Sequence, residues 1–143
     1  MVSDMLDREK TLEDRIREEM TVDYKDALER NFDLAKTLVA ITSEGKISIK
    51  QKERFTGEEQ ISLYLIGRVY ASRAGYTANE KVGTKELLDE LSIKKGSLLP
   101  WLKTLRDKGI IKSDKEGKLS YHYIPHNLIE HVLNNILTKQ RGR

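Results

Sequence analysis

Metal binding is the first chemistry that the polar side chains of this 143-residue chain suggest. His126 and Glu130 are four residues apart, so they would share one face of a helix, and His122 precedes them on a predicted strand. A zinc site usually needs four converging ligands, and the chain has no cysteine to supply thiolates. We therefore expect no metal site, and we assign these histidines to the surface or to hydrogen bonds.

Catalysis has no support in the residue spacing. The tripeptide Gly-Thr-Lys at 83–85 lacks the glycine-rich remainder of a phosphate-binding P-loop. No nucleophile stands at a suitable spacing from a base, and the carboxylates are scattered over predicted helix surfaces. We predict no catalytic residues, no cofactor and a protein that is not an enzyme.

Charge is distributed unevenly along the chain. Residues 1–44 carry 7 Lys and Arg against 12 Asp and Glu, whereas residues 45–143 carry 19 against 11. A basic body with an acidic N-terminal arm is typical of a protein with a polyanionic partner, although the two parts could also attract each other. No apolar run approaches the roughly 18 residues of a membrane span, and the N-terminus does not resemble a signal peptide. With the absence of cysteine, this favours a cytoplasmic protein and no membrane partner.

The apolar spacing predicts the elements that position these side chains. The expected helices cover 4–20 (with Met5, Leu12, Ile16 and Met20), 23–41, 57–74, 85–91, 97–108 and 126–139. Residues 46–50 are expected to be a short strand or a linker, Val82 lies in a short strand, and two further strands flank a turn at 114–117. Thr56 and Glu59 form a capping box, Thr84 and Ser97 are expected N-caps, and Gly75 and Gly109 end their helices.

The order helix, strand, helix, turn, helix, strand, turn, strand over 57–124 resembles the winged helix-turn-helix superfamily, which includes many small bacterial and archaeal transcription regulators. The resemblance rests most on Leu98, Leu102 and Leu105 followed by Lys108-Gly109-Ile110-Ile111. It implies a mostly α (α+β) fold. The domain organisation would be an N-terminal helical extension at 1–45, a winged helix-turn-helix domain at 46–125, and a C-terminal helix with a basic tail at 126–143.

The resemblance also implies a surface for duplex DNA. The family places its third helix in the major groove and its wing along the flanking groove or backbone. Carried onto this sequence, the DNA contacts would come from Thr84 and Lys85 in the second helix, from Lys94, Lys95, Ser97, Lys103 and Thr104 at the third helix, and from Lys112, Lys115 and Lys118 in the wing.

The third helix departs from this pattern at Leu99 and Pro100. At about 100° per residue, its three leucines face inward, while Pro100 and Lys103 point away and Leu99 and Thr104 lie at the sides. Two apolar groups cannot hydrogen-bond a base edge, although they can contact a thymine methyl group. They could equally form a protein-contact patch, so a winged-helix interaction module within a larger assembly is the alternative function. Basic flanks favour DNA, and the apolar pair favours a protein partner.

Two weaker signals concern aromatic and basic residues near the C-terminus. Tyr121 and Tyr123 alternate with His122 on the second wing strand, and we expect the tyrosines to pack on the core, the alternative being stacking on a base. The basic tail Lys139, Arg141 and Arg143 is expected to be a solvated terminus, the alternative being a nucleic-acid arm.

The last helix has an unusually broad apolar stripe. Its members are Leu128, Ile129, Val132, Leu133, Ile136 and Leu137. One face can pack on the body, and the remainder predicts a homodimer in which two third helices lie at half-site spacing. Packing against the helix at 23–41 of the same chain is the alternative.

Overall fold

The chain is organised around its most apolar helix, which other elements cover on nearly every side. The structure, a computed structural model, describes residues 10–21 and 24–142. Its helices are α1 (Leu12–Arg15, continuing as a π-helical turn over Ile16–Met20), α2 (Tyr24–Ala35), α3 (Gly57–Arg73), α4 (Thr84–Leu91), α5 (Lys95–Asp107) and α6 (Ile129–Arg141). Its strands are β1 (Val39–Ile41), β2 (Ile47–Ile49), β3 (Val82–Gly83), β4 (Lys112–Glu116) and β5 (Leu119–Tyr123). Short 3₁₀ turns cover Lys52–Arg54 and His126–Leu128.

Helix α3 begins and ends as its sequence predicts. The Thr56 hydroxyl accepts a hydrogen bond from the Glu59 N–H at 3.2 Å, and the Glu59 carboxylate accepts one from the Thr56 N–H at 2.9 Å. Gly75, with φ of +87°, follows the end of the helix in the left-handed region. Most residues from Ile61 to Ala71 are buried, because the helix is apolar all round and lies at the centre of the core.

The predicted helix over 23–41 ends six residues early, and this part of the prediction is wrong. Residues 39–41 form β1, which pairs antiparallel with β2 in the register Val39–Ile49 and Ile41–Ile47. β-Branched side chains favour such a ladder, and Ile47 of the partner strand packs on Gly67 of α3. The strand predicted as one possibility for 46–50 is therefore confirmed.

A second antiparallel sheet has the strand order β3-β5-β4, so the fold class is mixed α+β with two small sheets. The hairpin predicted around the turn at 114–117 is present as β4 and β5. Its turn was predicted at 114–117 but lies at Gly117 and Lys118, because Asp114, Lys115 and Glu116 continue β4. Gly117 has φ of +64°, a conformation that a two-residue hairpin turn requires and glycine adopts without strain.

One hydrophobic core joins the elements from α2 to α6. It includes Leu28 of α2, Leu65 of α3, Leu87 of α4, Leu102 of α5 and Leu133 of α6. Within the described segments, no helix combines the length and apolar character needed to cross a bilayer. Residues 4–9 of the first predicted helix, Met5 included, and Arg143 of the tail lie outside the described residues.

Candidate nucleic-acid interface

Helix α5 presents one buried face and one exposed face. Leu98, Leu102 and Leu105 are 0–2% exposed and fix the helix to the core, as their spacing predicts. The exposed residues of α5 are Lys95, Gly96, Leu99, Pro100, Lys103, Arg106 and Asp107, and we call Lys95, Leu99, Pro100, Lys103 and Arg106 among them the α5 outer face. Because α5 is anchored along its whole inner side, the position of this outer face is set by the core.

The helix starts two residues earlier than predicted. Lys94, not Ser97, is the N-cap, and its carbonyl accepts hydrogen bonds from the N–H groups of Ser97 (3.0 Å) and Leu98 (2.9 Å). Pro100 is consequently the sixth helical residue, where the lack of an N–H removes a hydrogen bond to Gly96. The Thr104 hydroxyl donates to the Pro100 carbonyl at 3.1 Å, so its proton is not available to a ligand.

The single tryptophan holds the first half of α5 against the start of α3. Trp101 is half-buried, and a Cβ atom added at Gly57 would overlap its ring. Only glycine permits this approach of the indole to the α3 backbone. Trp101 therefore belongs to the packing between the two helices.

Most of the predicted basic contacts are exposed. Lys94 and Lys95 before and at the start of α5 have no ion-pair partner among the described residues, and the same holds for Lys85 of α4. Lys103 forms an exposed ion pair with Asp107 at 3.1 Å, which is one helical turn away. Such exposed pairs are worth little and are readily exchanged for another anion.

Thr84, predicted as the N-cap and a phosphate contact, has a different role. Gly83 is the N-cap of α4, and Thr84 is its first helical residue. Its hydroxyl lies 2.8 Å from Nε2 of His122, so the side chain is used inside the protein. Because Gly83 provides no side-chain cap, the first N–H groups of α4 have no capping side chain to accept from them.

His122 is the centre of a polar network that joins α4, α5 and the hairpin. Its side chain is 1% exposed, and Nδ1 lies 2.6 Å from the Ser113 hydroxyl on the neighbouring strand. The Arg106 guanidinium donates to that same hydroxyl at 3.4 Å. Burial, with a smaller contribution from Arg106, lowers the pKa of His122 to about 4. The imidazole is therefore neutral at neutral pH, and each ring nitrogen has one hydroxyl partner.

The register of β4 and β5 reverses the expected roles of the residues on the second hairpin strand. His122 pairs with Ser113 and faces the core, so the alternating Tyr121 and Tyr123 lie on the other face and are only half-buried. The expectation that the tyrosines pack on the core is wrong, because a period of two allows only one of the two sets to face inward. On that outer face, Lys81 pairs with Asp114 at 2.7 Å and lies 5.7 Å from the Tyr123 ring centre.

The same register separates the three predicted wing lysines. Lys115 pairs with Ser120 and shares a face with Ser113, the residue that Arg106 contacts, so Lys115 lies on the α5 side of the hairpin. Lys112 pairs with Tyr123 and lies on the opposite face. Lys118 is exposed in the turn.

Arg106 is the residue of this surface that the sequence analysis missed. It lies seven residues after Leu99 and three after Lys103, which puts it on the same helix face. The spacing could have identified Arg106 from the sequence. The contact of Arg106 with Ser113, which links α5 to β4, could not be predicted from the sequence.

The histidine and carboxylate side chains considered for metal binding do not converge. His126 lies 2.5 Å from a Glu80 carboxylate oxygen, and Glu130 pairs with Arg30 at 3.7 Å. Across residues 10–21 and 24–142, no three metal-ligating side chains form a cluster.

The apolar residues of the last helix lie in the interior of one chain. Ile129, Val132, Leu133 and Ile136 are at most 3% exposed, and Leu128 and Leu137 are half-buried against the same core. Helices α2 and α3 cover them, so the alternative of packing within the chain is the arrangement found. The α6 stripe therefore does not provide the exposed apolar face on which the predicted dimer interface was based. A homodimer stays a prediction, and it would need another surface.

Comparison with protein-family models, with curated proteins and with solved structures gives no match for this chain.

Proposed function

We propose that the protein is a winged helix-turn-helix protein that binds duplex DNA and acts as a transcription regulator. In this proposal α5 is the recognition helix in the major groove, and the β4–β5 hairpin is the wing beside it. Helix α4 precedes the recognition helix and approaches the phosphate backbone.

The order and pairing of the elements support the fold assignment. Helix α3 is followed by a short strand, two helices and a hairpin, and the short strand β3 completes the sheet by pairing with β5. Helices α4 and α5 are separated only by residues 92–94, where Ser92 ends α4 with φ of +54°. Such a tight turn between two helices is typical of helix-turn-helix proteins.

The observation that carries the DNA proposal is the joint exposure of basic residues on two linked elements. Lys95, Lys103 and Arg106 lie on the α5 outer face, and the contact of Arg106 with Ser113 brings the α5 side of the hairpin, with Lys115, next to that face. A duplex lying across both elements would meet cations from each. Neutralised phosphates release counterions, which supplies affinity without sequence preference.

Base reading would depend on few groups. Lys103 can donate to guanine O6 or N7, and Thr104 can act only as an acceptor because its proton is used at Pro100. At α4 the contact to phosphate would come from Lys85 and the first backbone N–H groups, since the Thr84 hydroxyl is bound to His122. We therefore expect strong dependence on salt and modest sequence preference.

A protein-interaction module is the second candidate function, and the exposure of Leu99 favours it. Leu99 is 44% exposed beside the exposed Pro100 on the α5 outer face. An apolar centre with a charged rim is the usual anatomy of a protein interface. Leu99→Ala would then abolish association with the partner, whereas it would hardly change binding to random DNA.

The two functions separate in one binding experiment. Fluorescence anisotropy with random duplex DNA at two salt concentrations compares the wild type with a Lys94/Lys95/Lys103 triple alanine variant. The control is a triple alanine variant of Arg30, Lys46 and Arg73, which are exposed and lie outside the proposed surface. DNA binding predicts a large loss of affinity and a smaller salt slope in the first variant alone. Equal affinity in both variants would contradict the DNA proposal.

A further inference from the structure

Helix α1 exposes every large apolar side chain that it has. Leu12 is 68% exposed, Ile16 43% and Met20 76%. Their spacing of four residues places them on one face of the helix. A helix of nine residues is marginal in water without a partner surface, so a covering surface is expected for this face.

A second uncovered apolar surface lies between α2, β1 and α3. It is a groove of about 230 Å³ whose apolar lining includes Phe32, Ala35, Val39, Ile41 and Tyr70. Phe32 at its edge is 50% exposed and lies 6.3 Å from the Tyr70 ring, centre to centre. Within the described chain, Phe32 is among the few large apolar side chains that solvent reaches.

The charges on the two surfaces are complementary. The groove is bordered by Lys36 and Lys50; the Lys36 ammonium lies 5.3 Å from the Phe32 ring centre, and the Lys50 ammonium is fixed at the Lys36 carbonyl at 2.6 Å. Asp33 offsets part of this charge through its ion pair with Lys36 at 3.2 Å. Helix α1 carries four carboxylates (Glu13, Asp14, Glu18 and Glu19) against Arg15 and Arg17. Three of the carboxylates form exposed ion pairs with Lys10, Arg15 and Arg17, and exposed pairs of this kind are weak enough to be exchanged for other partners. An acidic amphipathic helix and a basic-rimmed apolar groove are the two halves of a helix-in-groove interface.

We propose that α1 of one copy of the chain occupies the groove of a second copy, and that the exchange is reciprocal in a two-fold dimer. Within a single chain α1 does not cover the groove, because Leu12, Ile16 and Met20 are exposed and so is Phe32 at the groove edge. A second copy can present all three apolar residues of α1 to the groove at once.

The self-association test uses one variant on each surface. Light scattering coupled to size-exclusion chromatography, over a range of protein concentrations without DNA, is expected to show a wild-type dimer. Ile16→Glu and Phe32→Glu each place a charge at the contact, and each is expected to raise the dissociation constant of the dimer at least tenfold. Tyr76→Glu is the matched control, because Tyr76 is 53% exposed, close to the 50% of Phe32, but lies outside both α1 and the groove. Circular dichroism establishes that all three variants are folded.

Mixing the two monomeric variants identifies the pairing. In the mixed dimer, the intact α1 of the Phe32→Glu copy meets the intact groove of the Ile16→Glu copy, so dimer is expected to reappear on mixing. A wild type that is monomeric at high micromolar concentration overturns the proposal. So does a Phe32→Glu variant that dimerises normally, which would indicate α1 pairing with α1, or a mixture that stays monomeric. Because no DNA is present, these outcomes do not depend on the proposed DNA binding.

Discussion

Nε2 of His122 lies 2.8 Å from the hydroxyl of Thr84, so a buried histidine on the hairpin is bound to the first residue of α4. Nδ1 of the same ring lies 2.6 Å from the Ser113 hydroxyl, which in turn accepts from Arg106 of α5. Three elements of the proposed DNA surface therefore depend on one neutral imidazole. Replacing either hydroxyl would leave a buried ring nitrogen without its partner, which is costly in a low-dielectric site.

The His122 network predicts a loss of stability in mild acid. The pKa of His122 is about 4 in the folded protein, against 6.5 for an ordinary histidine, because the site is buried. Below pH 6.5 the unfolded chain binds a proton that the folded chain refuses, so the free energy of unfolding falls as the pH drops towards 4. The loss from this group is on the order of 2–3 kcal/mol. Urea unfolding at several pH values measures it.

Two variants test the assignment of this pH dependence to His122. His122→Gln is expected to flatten the profile between pH 4 and 6.5, at a cost in stability at pH 7. His131→Gln is the control, since it removes an exposed histidine outside this network. An unchanged slope in the His122 variant would mean that other groups cause it.

Gly67→Ala is expected to destabilise the protein, unlike a Gly→Ala substitution in an exposed helix. In an exposed helix, Gly→Ala stabilises by about 0.5–1 kcal/mol, but a Cβ at Gly67 would lie 2.5 Å from Cγ2 of Ile47. We expect Gly67→Ala to lower the free energy of unfolding by about 1–3 kcal/mol. In an Ile47→Ala background the clash is absent, and Gly67→Ala should then be neutral or stabilising. A double-mutant cycle by chemical unfolding measures this coupling, and strictly additive effects would contradict the packing.

The hairpin register predicts different contributions from two lysines of the same strand. Lys115 is on the α5 side of the hairpin, and Lys112 is on the opposite face with Tyr123. If the hairpin is the wing of a DNA-binding surface, Lys115→Ala should reduce the slope of log affinity against log salt by about 1. Lys112→Ala should reduce this salt slope less. Fluorescence anisotropy titrations over a series of salt concentrations provide the comparison. A larger change of slope for Lys112→Ala than for Lys115→Ala would mean that DNA binds the hairpin face away from α5, which would contradict the proposal.

Replacing Arg106 is expected to change both the DNA affinity and the pKa of His122. Arg106→Gln removes an exposed charge from the α5 outer face and should weaken DNA binding, with a reduction of the salt slope by about 1. It also removes a cation that disfavours the protonated imidazole, so the pKa of His122 should move upward from about 4. Proton NMR of the His122 ring follows the titration. A fixed midpoint would show that Arg106 does not act on His122.

Local patterns along the chain determined many of the elements. The capping box of α3 and the glycines after α3 and α5 marked helix ends because their chemistry acts within a few residues. The leucines of α5 identified its buried face for the same reason, since helix periodicity relates neighbours in sequence. The outward positions of Pro100 and Lys103, with Leu99 at the side, followed from that face.

Tertiary contacts decided the features that the sequence could not. Residues 39–41 form a strand because they pair with β2, and because Ile47 of β2 can pack closely on α3 at Gly67, which has no side chain. The register of the hairpin places His122 in the interior, where Thr84 and Ser113 provide partners for both ring nitrogens. The alternation of tyrosine and histidine in the sequence is equally compatible with the tyrosines facing inward. The stripe of α6 lies in the interior because α2 and α3 cover it, whereas the apolar residues of α1, Phe32 beside the groove, and Leu99 remain exposed. An apolar stripe in a sequence requires burial, but which surface buries it is settled by the shapes of elements that are distant in the chain.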